Sequence, residues 1–443
     1  MKKEITLHTR REFLRSTVLG SALSWTLPTF LANTFSALQA EAVDKATQAA
    51  TGRDSSILVV LQMAGGNDGL NTLVPYSNDY YHRARPRIGL GEKQVLRVND
   101  ELGLHANLAG LKDLYDSGQI AVIQGVGYPN PNRSHFRSTE IWQTACDSEK
   151  IEQHGWLGRY FDNTCSGCDP TVAVSVGRQM PLAFAAKNPK GVSLDNPENY
   201  RFMPPGRGKG NERARAEESF RKLNQPEEEM TESAGSTIDA LHGPIRHIGS
   251  PLDFLERTAM DAQMSSEQIR AIAGRTDNHA TYPASQLGNS LKLVAKLIGG
   301  SLPTRIFYVS QGGYDTHTNQ TGAHERLLKD LGDAMKAFAE DMKEQGNASH
   351  VLLMTFSEFG RRVAENASGG TDHGAAAPMF VMGEKVKAGL AGKYPSLEPG
   401  DLFQGDLKYT VDFRSVYAAV LEGWLKTKSE PILGRRFPLL PIV

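Results

Sequence analysis

Three side chains able to hold a metal ion, Glu358, Asp372 and His373, fall in one stretch of the chain, residues 351–383. That stretch reads as strand, acidic loop, glycine-rich turn, histidine loop and strand. Asp315-Thr316-His317 places a second acid and histidine in a glycine-rich loop after the apolar run 305–310. Asp68 follows a third apolar run, 57–63, across Gly65 and Gly66, glycines that permit a tight turn and close approach to a ligand. Taken alone, Asp68 is equally an Asx-turn residue. Together these groups offer carboxylate and imidazole ligands for a divalent metal, Zn²⁺, Mn²⁺ or Mg²⁺. One or two such ions can activate a nucleophile and clamp a transferring oxyanion.

The nucleophile on offer is Ser134, in the run Arg133-Ser134-His135-Phe136-Arg137 that opens a helix. A serine there is either an N-cap or a reactive hydroxyl. The helix dipole and free N–H groups would attract an anion. His135, Arg133 and Arg137 add polar or positive groups to the same turn, favouring phosphate, sulfate or a related oxyanion.

The elements that must position these residues alternate between strand and helix. Residues 57–63, 120–124, 171–176, 305–310, 351–356 and 378–382 are short apolar runs with the length of buried strands. Helical spacing is read over 104–117, from about 135 to 145, over most of 250–300, and over 324–342. Residues 185–210 read as loop, and 211–232 as a solvated, densely charged helix or lid. The pattern predicts an α/β protein: a three-layer α/β/α sandwich on a mostly parallel sheet, one domain over about 50–443 with an inserted segment near 185–300. Acids and histidines at the ends of its strands are where such sheets keep their ligand sites.

The order of these motifs resembles the alkaline phosphatase-like superfamily of phosphatases, sulfatases and phosphoglycerate mutases. More narrowly, the twin-arginine start with GGNDGLN, NRSHF, GWLGRY, GGYDTH, SEFGR and GTDHG resembles the exported bacterial family DUF1501. The resemblance covers nearly the whole chain. It implies that Asp68, Asp315, His317, Glu358 and His373 bind metal, with Ser134 as nucleophile beside Arg133, His135 and Arg137. Two departures stand out. Where the superfamily carries an Asp-His pair, this chain has Glu358-Phe359, so a ligand is missing unless Asp372, His135 or His324 substitutes. The C-x-P-S-R signature of sulfatases is absent.

The chain begins with an address. Thr9-Arg10-Arg11-Glu12-Phe13-Leu14, an apolar stretch over 16–32 and Ala40-Glu41-Ala42 read as a twin-arginine signal with its cleavage site, residues 1–42. The expected destination is the periplasm or beyond, by way of the twin-arginine export machinery and with no stable membrane anchor after cleavage. The 401 remaining residues (443 minus 42) carry 44 Lys+Arg (49 minus 5) against 47 Asp+Glu (50 minus 3), which offers no basic surface for nucleic acid. Cys165 and Cys168 form a C-x-x-C, read as a local disulfide or an inert pair, and Cys146 stands apart. Two functions are compatible with this reading. One is a metal-dependent hydrolase or transferase for a small anionic ester. The other is a catalytically degenerate binding or accessory protein on the same scaffold.

Overall fold

The computed structural model describes residues 56–165, 168–187, 191–200 and 251–443. The export signal and the charged segment 211–232 lie outside them. The strands are β1 (Ile57–Ala64), β2 (Leu73–Val74), β3 (Val95–Arg97), β4 (Gly103–His105), β5 (Ile120–Gly127), β6 (Ala173–Val176), β7 (Val192–Leu194), β8 (Ile306–Gly312), β9 (Val351–Phe356), β10 (Ala377–Met382), β11 (Gly389–Ala391) and β12 (Val411–Asp412). The helices used below are α1 (Asp79–Ala84), α2 (Ala109–Asp116), α3 (His135–Thr144), α4 (Trp156–Thr164), α5 (Pro251–Arg275), α6 (Gln286–Gly299), α7 (Gln320–Glu344) and α8 (Phe413–Ala419).

Among the described residues nine strands form the central sheet, in the order β11-β5-β10-β9-β1-β8-β6-β7 with β12 paired to β5. Every pairing is parallel except those of β10, which runs antiparallel to both β5 and β9. β1 sits between β8 and β9 and is buried along nearly its whole length. Alternate β1 side chains serve opposite faces, as the pleat requires. Val59, Leu61 and Met63 pack with Leu111, Leu291, Leu331 and Phe338 of α2, α6 and α7. Leu58 and Val60 pack with Ile141, Trp156 and Tyr417 of α3, α4 and α8. The result is three layers, as the alternation of runs predicts.

Local chemistry explains the element ends. Asn78 caps α1, Ser285 caps α6 and Asp412 caps α8 through side-chain oxygens that accept backbone N–H bonds. Gly155 and Gly158 let α4 lie directly on the backbone of residues 182–185, where a Cβ would meet carbonyl oxygens at 2.2 Å or closer. Cys165 and Cys168 are joined as a disulfide.

Two readings are corrected. The predicted helix over 104–117 starts late: Gly103–His105 is strand β4, paired with β2 and β3, and α2 begins at Ala109. Leu104 falls on the helical stripe because it lies four residues before Leu108, yet it is paired with Leu73 and Leu96 in the small sheet. The loop read over 185–210 contains β7, which extends the main sheet beside β6. Its three residues are too short a run to stand out against Asn, Pro and Gly neighbours.

Candidate metal centre

Because β1, β8 and β9 are parallel, their carboxyl ends emerge at one edge of the sheet. The loops after them carry Gly65 to Asp68, Asp315 with His317, and Glu358. β10 runs the other way, so the loop that enters it, with Asp372 and His373, returns to the same edge. The segment after β5 brings Ser134 and the start of α3 there as well. The site is thus assembled from residues hundreds of positions apart.

Three histidines converge on one carboxylate oxygen. Nε2 of His317, His373 and His135 lies 3.0, 3.2 and 3.4 Å from Asp315 Oδ1. His317 Nε2 and His373 Nε2 face each other at 2.9 Å. The other ring nitrogen of each is taken. His135 Nδ1 donates to Glu358 Oε1 at 2.9 Å, His317 Nδ1 to Asp372 Oδ1 at 3.1 Å, and His373 Nδ1 to the Arg133 carbonyl at 2.7 Å. A carbonyl only accepts, so Nδ1 of His373 carries the hydrogen; the carboxylates dictate the same tautomer for the other two. In the neutral rings each Nε2 is then a bare lone pair.

Three lone pairs and a carboxylate oxygen gathered this closely repel one another unless a cation, a proton or a metal ion, stands among them. Ligand atoms of His135, Asp315 and His373 all lie within 4.8 Å of one another. Tetrahedral Zn²⁺ with ~2.1 Å bonds spaces its ligands about 3.4 Å apart, close to the spacings seen here. His135 Nε2 and Glu358 Oε2 are buried without a hydrogen-bond partner. Carboxylate and carbonyl partners behind imidazole ligands are the usual outer support of such centres. The residues therefore fit a divalent ion, with His135, His317, His373 and Asp315 able to ligate it and Glu358, Asp372 and the Arg133 carbonyl orienting the rings.

The surroundings tune these groups. Burial opposes ionisation of Asp315, but the hydrogen bond and positive charge of Arg361, with His373 close by, outweigh it and hold its carboxyl down at about 2. Burial lowers the basicity of His373 against the opposing effect of its Arg133 and Asp315 contacts. Asp372 is held low first by the Asn366 amide and also by His317. Phe359 is buried, with its ring 4.6 Å from that of His373 and 4.9 Å from that of His135. It packs against both rings where His135 approaches the cluster.

Ser134 is exposed and precedes α3 with no side-chain capping bond, so its hydroxyl is free. Its two neighbours, the Arg133 carbonyl and His135, both touch the cluster. The arginines beside it are engaged. Arg133 holds Asp406 with bonds of 2.9 and 2.5 Å, and Arg137 holds Glu140 at 2.8 Å and two carbonyls of residues 148–150.

Asp68 is not brought to the histidines. It is buried, and its Oδ2 accepts from Arg85 Nη1 at 2.6 Å and from Gln320 Nε2 at 2.5 Å. Burial would raise its pKa, but the Arg85 charge prevails and keeps it low. His324 also lies apart, 3.0 Å from Asn67 Oδ1. Glu358 and Asp372 stand behind histidine rings. Sequence reasoning missed Arg361, buried at the hub of the loops, and Arg85; an arginine carries no sign in sequence of what it will touch.

What these features define is an α/β protein whose candidate metal ligands gather at the carboxyl edge of a mostly parallel sheet. The chain belongs to the family described as "Protein of unknown function (DUF1501)", whose pattern matches residues 55–433. No curated protein matches it. Among solved structures it is similar to a protein in the alkaline phosphatase superfamily from Vibrio parahaemolyticus, at 10% identity and a TM-score of 0.35 over 92% of this chain and 78% of that one. It is similar to the C-terminal periplasmic domain of EcEptC from Escherichia coli, in complex with Zn, at 10% identity and a TM-score of 0.34 over 75% and 74%. A third is the PsFucS1 sulfatase from Pseudoalteromonas sp., at 9% identity and a TM-score of 0.31 over 77% and 65%. Among the described residues no helix is long and apolar enough to cross a membrane.

Proposed function

We propose that this is an exported, metal-dependent hydrolase or transferase acting on a phosphate or sulfate ester, with His135, His317, His373 and Asp315 as the ligands of a divalent ion. The observation that carries the reading is the convergence of three Nε2 atoms on Asp315 Oδ1, each ring fixed from behind. A bound divalent ion would act as a Lewis acid, lowering the pKa of a hydroxyl and offsetting oxyanion charge.

The chain's own residues supply the rest. Ser134 offers a free hydroxyl between two residues that touch the cluster, the place for a nucleophile. The uncapped N-terminus of α3 presents backbone N–H groups to an anionic ester. Arg133 ties this turn to Asp406 and so positions it rather than reaching for substrate. The twin-arginine start supports delivery to the periplasm or beyond, with residues 1–42 removed.

Turnover of a panel of aryl phosphates, phosphodiesters and aryl sulfates tests the reading. Metal-dependent turnover is expected to vanish in Ser134→Ala with metal content kept, and in His373→Ala with metal content lost. Full activity in Ser134→Ala would remove that residue from the chemistry.

A second reading, an exported binding or accessory protein, is favoured by one observation: Arg133 and Arg137 are both committed to protein partners, leaving neither guanidinium for a substrate oxyanion. Tight binding of phosphate or sulfate without turnover across the panel would select it.

A further inference from the structure

Arg361 is almost fully buried behind the histidine cluster. Its guanidinium donates to five oxygens from three loops. Nε reaches the Gly66 carbonyl at 2.7 Å and Nη1 the Thr371 carbonyl at 2.8 Å. Nη2 reaches the carbonyls of Gly65 and Tyr314, the latter at 2.9 Å, and Asp315 Oδ1 at 2.7 Å. Three of these oxygens, the Gly65 and Tyr314 carbonyls and Asp315 Oδ1, meet at the single atom Nη2, and carbonyl and carboxylate oxygens are the donors that hard cations take. Here a fixed positive side chain takes them.

The other acids near the edge are similarly committed. Asp68 is matched to buried Arg85, Glu358 accepts from Gly65 N–H at 2.8 Å and from His135, and Asp372 accepts from His317 and from Asn366 at 3.2 Å. Each of the two strand-end aspartates thus has its own arginine. The bare imidazole nitrogens that face Asp315 form one set, those of His135, His317 and His373.

We propose that Arg361 is a resident cation that occupies the place of a second metal ion, so that the centre holds a single divalent ion. Asp315 Oδ1 is shared between the guanidinium on one side and that ion on the other. This rests on the metal-centre reading above. A second divalent ion at the oxygen cage would face a buried like charge and find its carbonyls already bonded. The arrangement gives the centre two unlike positive groups, one exchangeable and one permanent.

The test uses the signal-free chain from residue 43, loaded with Mn²⁺ or Zn²⁺, dialysed, and assayed by elemental mass spectrometry beside His373→Ala to subtract surface binding. One equivalent per chain that depends on His373 is expected, with the Mn²⁺ form giving the spin-resonance spectrum of an isolated ion. Two dependent equivalents, or an exchange-coupled pair spectrum, would overturn the proposal. No dependent equivalent at all would overturn the metal-centre reading beneath it, which is a distinguishable result. Arg361→Ala and Arg361→Lys then address the residue itself, with near-ultraviolet circular dichroism reporting the fold. The alanine variant vacates the cage and is expected to admit a second equivalent, whereas the lysine variant keeps the charge and stays at one. A folded alanine variant that stays at one would reduce Arg361 to a structural tie and overturn its assignment; if that variant does not fold, the wild-type count and spectrum still decide.

Discussion

At the scale of the residue, the centre is a problem of aiming imidazole rings. A histidine has two nitrogens, and which one faces the site is decided by what holds the other. Glu358 does this for His135 while itself anchored by the Gly65 N–H. Removing its charge weakens the pull on Nδ1–H without opening a cavity. Glu358→Gln is therefore expected to weaken metal binding about 10- to 100-fold, the usual effect of losing an outer partner. Competition against a chromophoric chelator measures this. An unchanged affinity would show that the ring is aimed by packing against Phe359 instead. The acids and histidines of the centre were legible in sequence as types at strand ends. Their division of labour was not: His135 reads as part of a nucleophile's turn and as one of three substitutes for a missing ligand, and Glu358 and Asp372 read as ligands. That division depends on which side chains lie back to back across separations of 55 and 223 residues, and nothing local encodes it.

At the scale of the element, the loops meet because glycines let backbones touch. Gly65 has φ of +118°, and a Cβ there would lie 2.5 Å from the Asp315 backbone nitrogen. Gly370 is pressed as closely, with the His317 carbonyl carbon 2.3 Å from a Cβ added there. Gly65→Ala imposes a strained backbone and drives the β1 loop against the β8 loop, so Asp315 must shift. A cost of about 1–3 kcal/mol is expected from the backbone alone, seen as a lower thermal midpoint, together with loss of tight metal binding. Wild-type metal affinity in a destabilised variant would mean that Asp315 tolerates the displacement. The strands themselves were readable because buried parallel strands are continuous apolar runs. The antiparallel sense of β10 was not, since six buried apolar residues look the same in either direction; yet that reversal is what brings His373 to the site.

At the scale of the whole molecule, the three-layer sandwich follows from the alternation of apolar strands with amphipathic helices, and its pH tolerance follows from what lies beneath the site. His324 sits on α7, is 2% exposed, and donates from Nε2 to Asn67 Oδ1 at 3.0 Å. Burial, working against the attraction of the Asp68 charge, pushes its pKa down to about 4 from the usual 6.5. The folded state thus keeps this ring neutral between those values while the unfolded chain takes up a proton. The proton-binding difference favours the unfolded chain as pH falls from about 6.5 to about 4, and has no effect above that window. A shift of this size corresponds to a loss on the order of 3 kcal/mol across the window. Arg85, held high, contributes no slope there, and Asp68, held low in the fold, adds a loss of the same sign only at the acid end of the window, where the unfolded carboxyl begins to take up its proton. His324→Gln keeps a donor for Asn67 and removes the titration. Its thermal midpoint, measured on metal-free protein, is expected to fall less than that of the wild type between pH 7 and pH 4.5, even if it starts lower. Equal falls in the two proteins would mean that His324 gains its proton inside the fold, and that the Asp68 charge beside it outweighs burial.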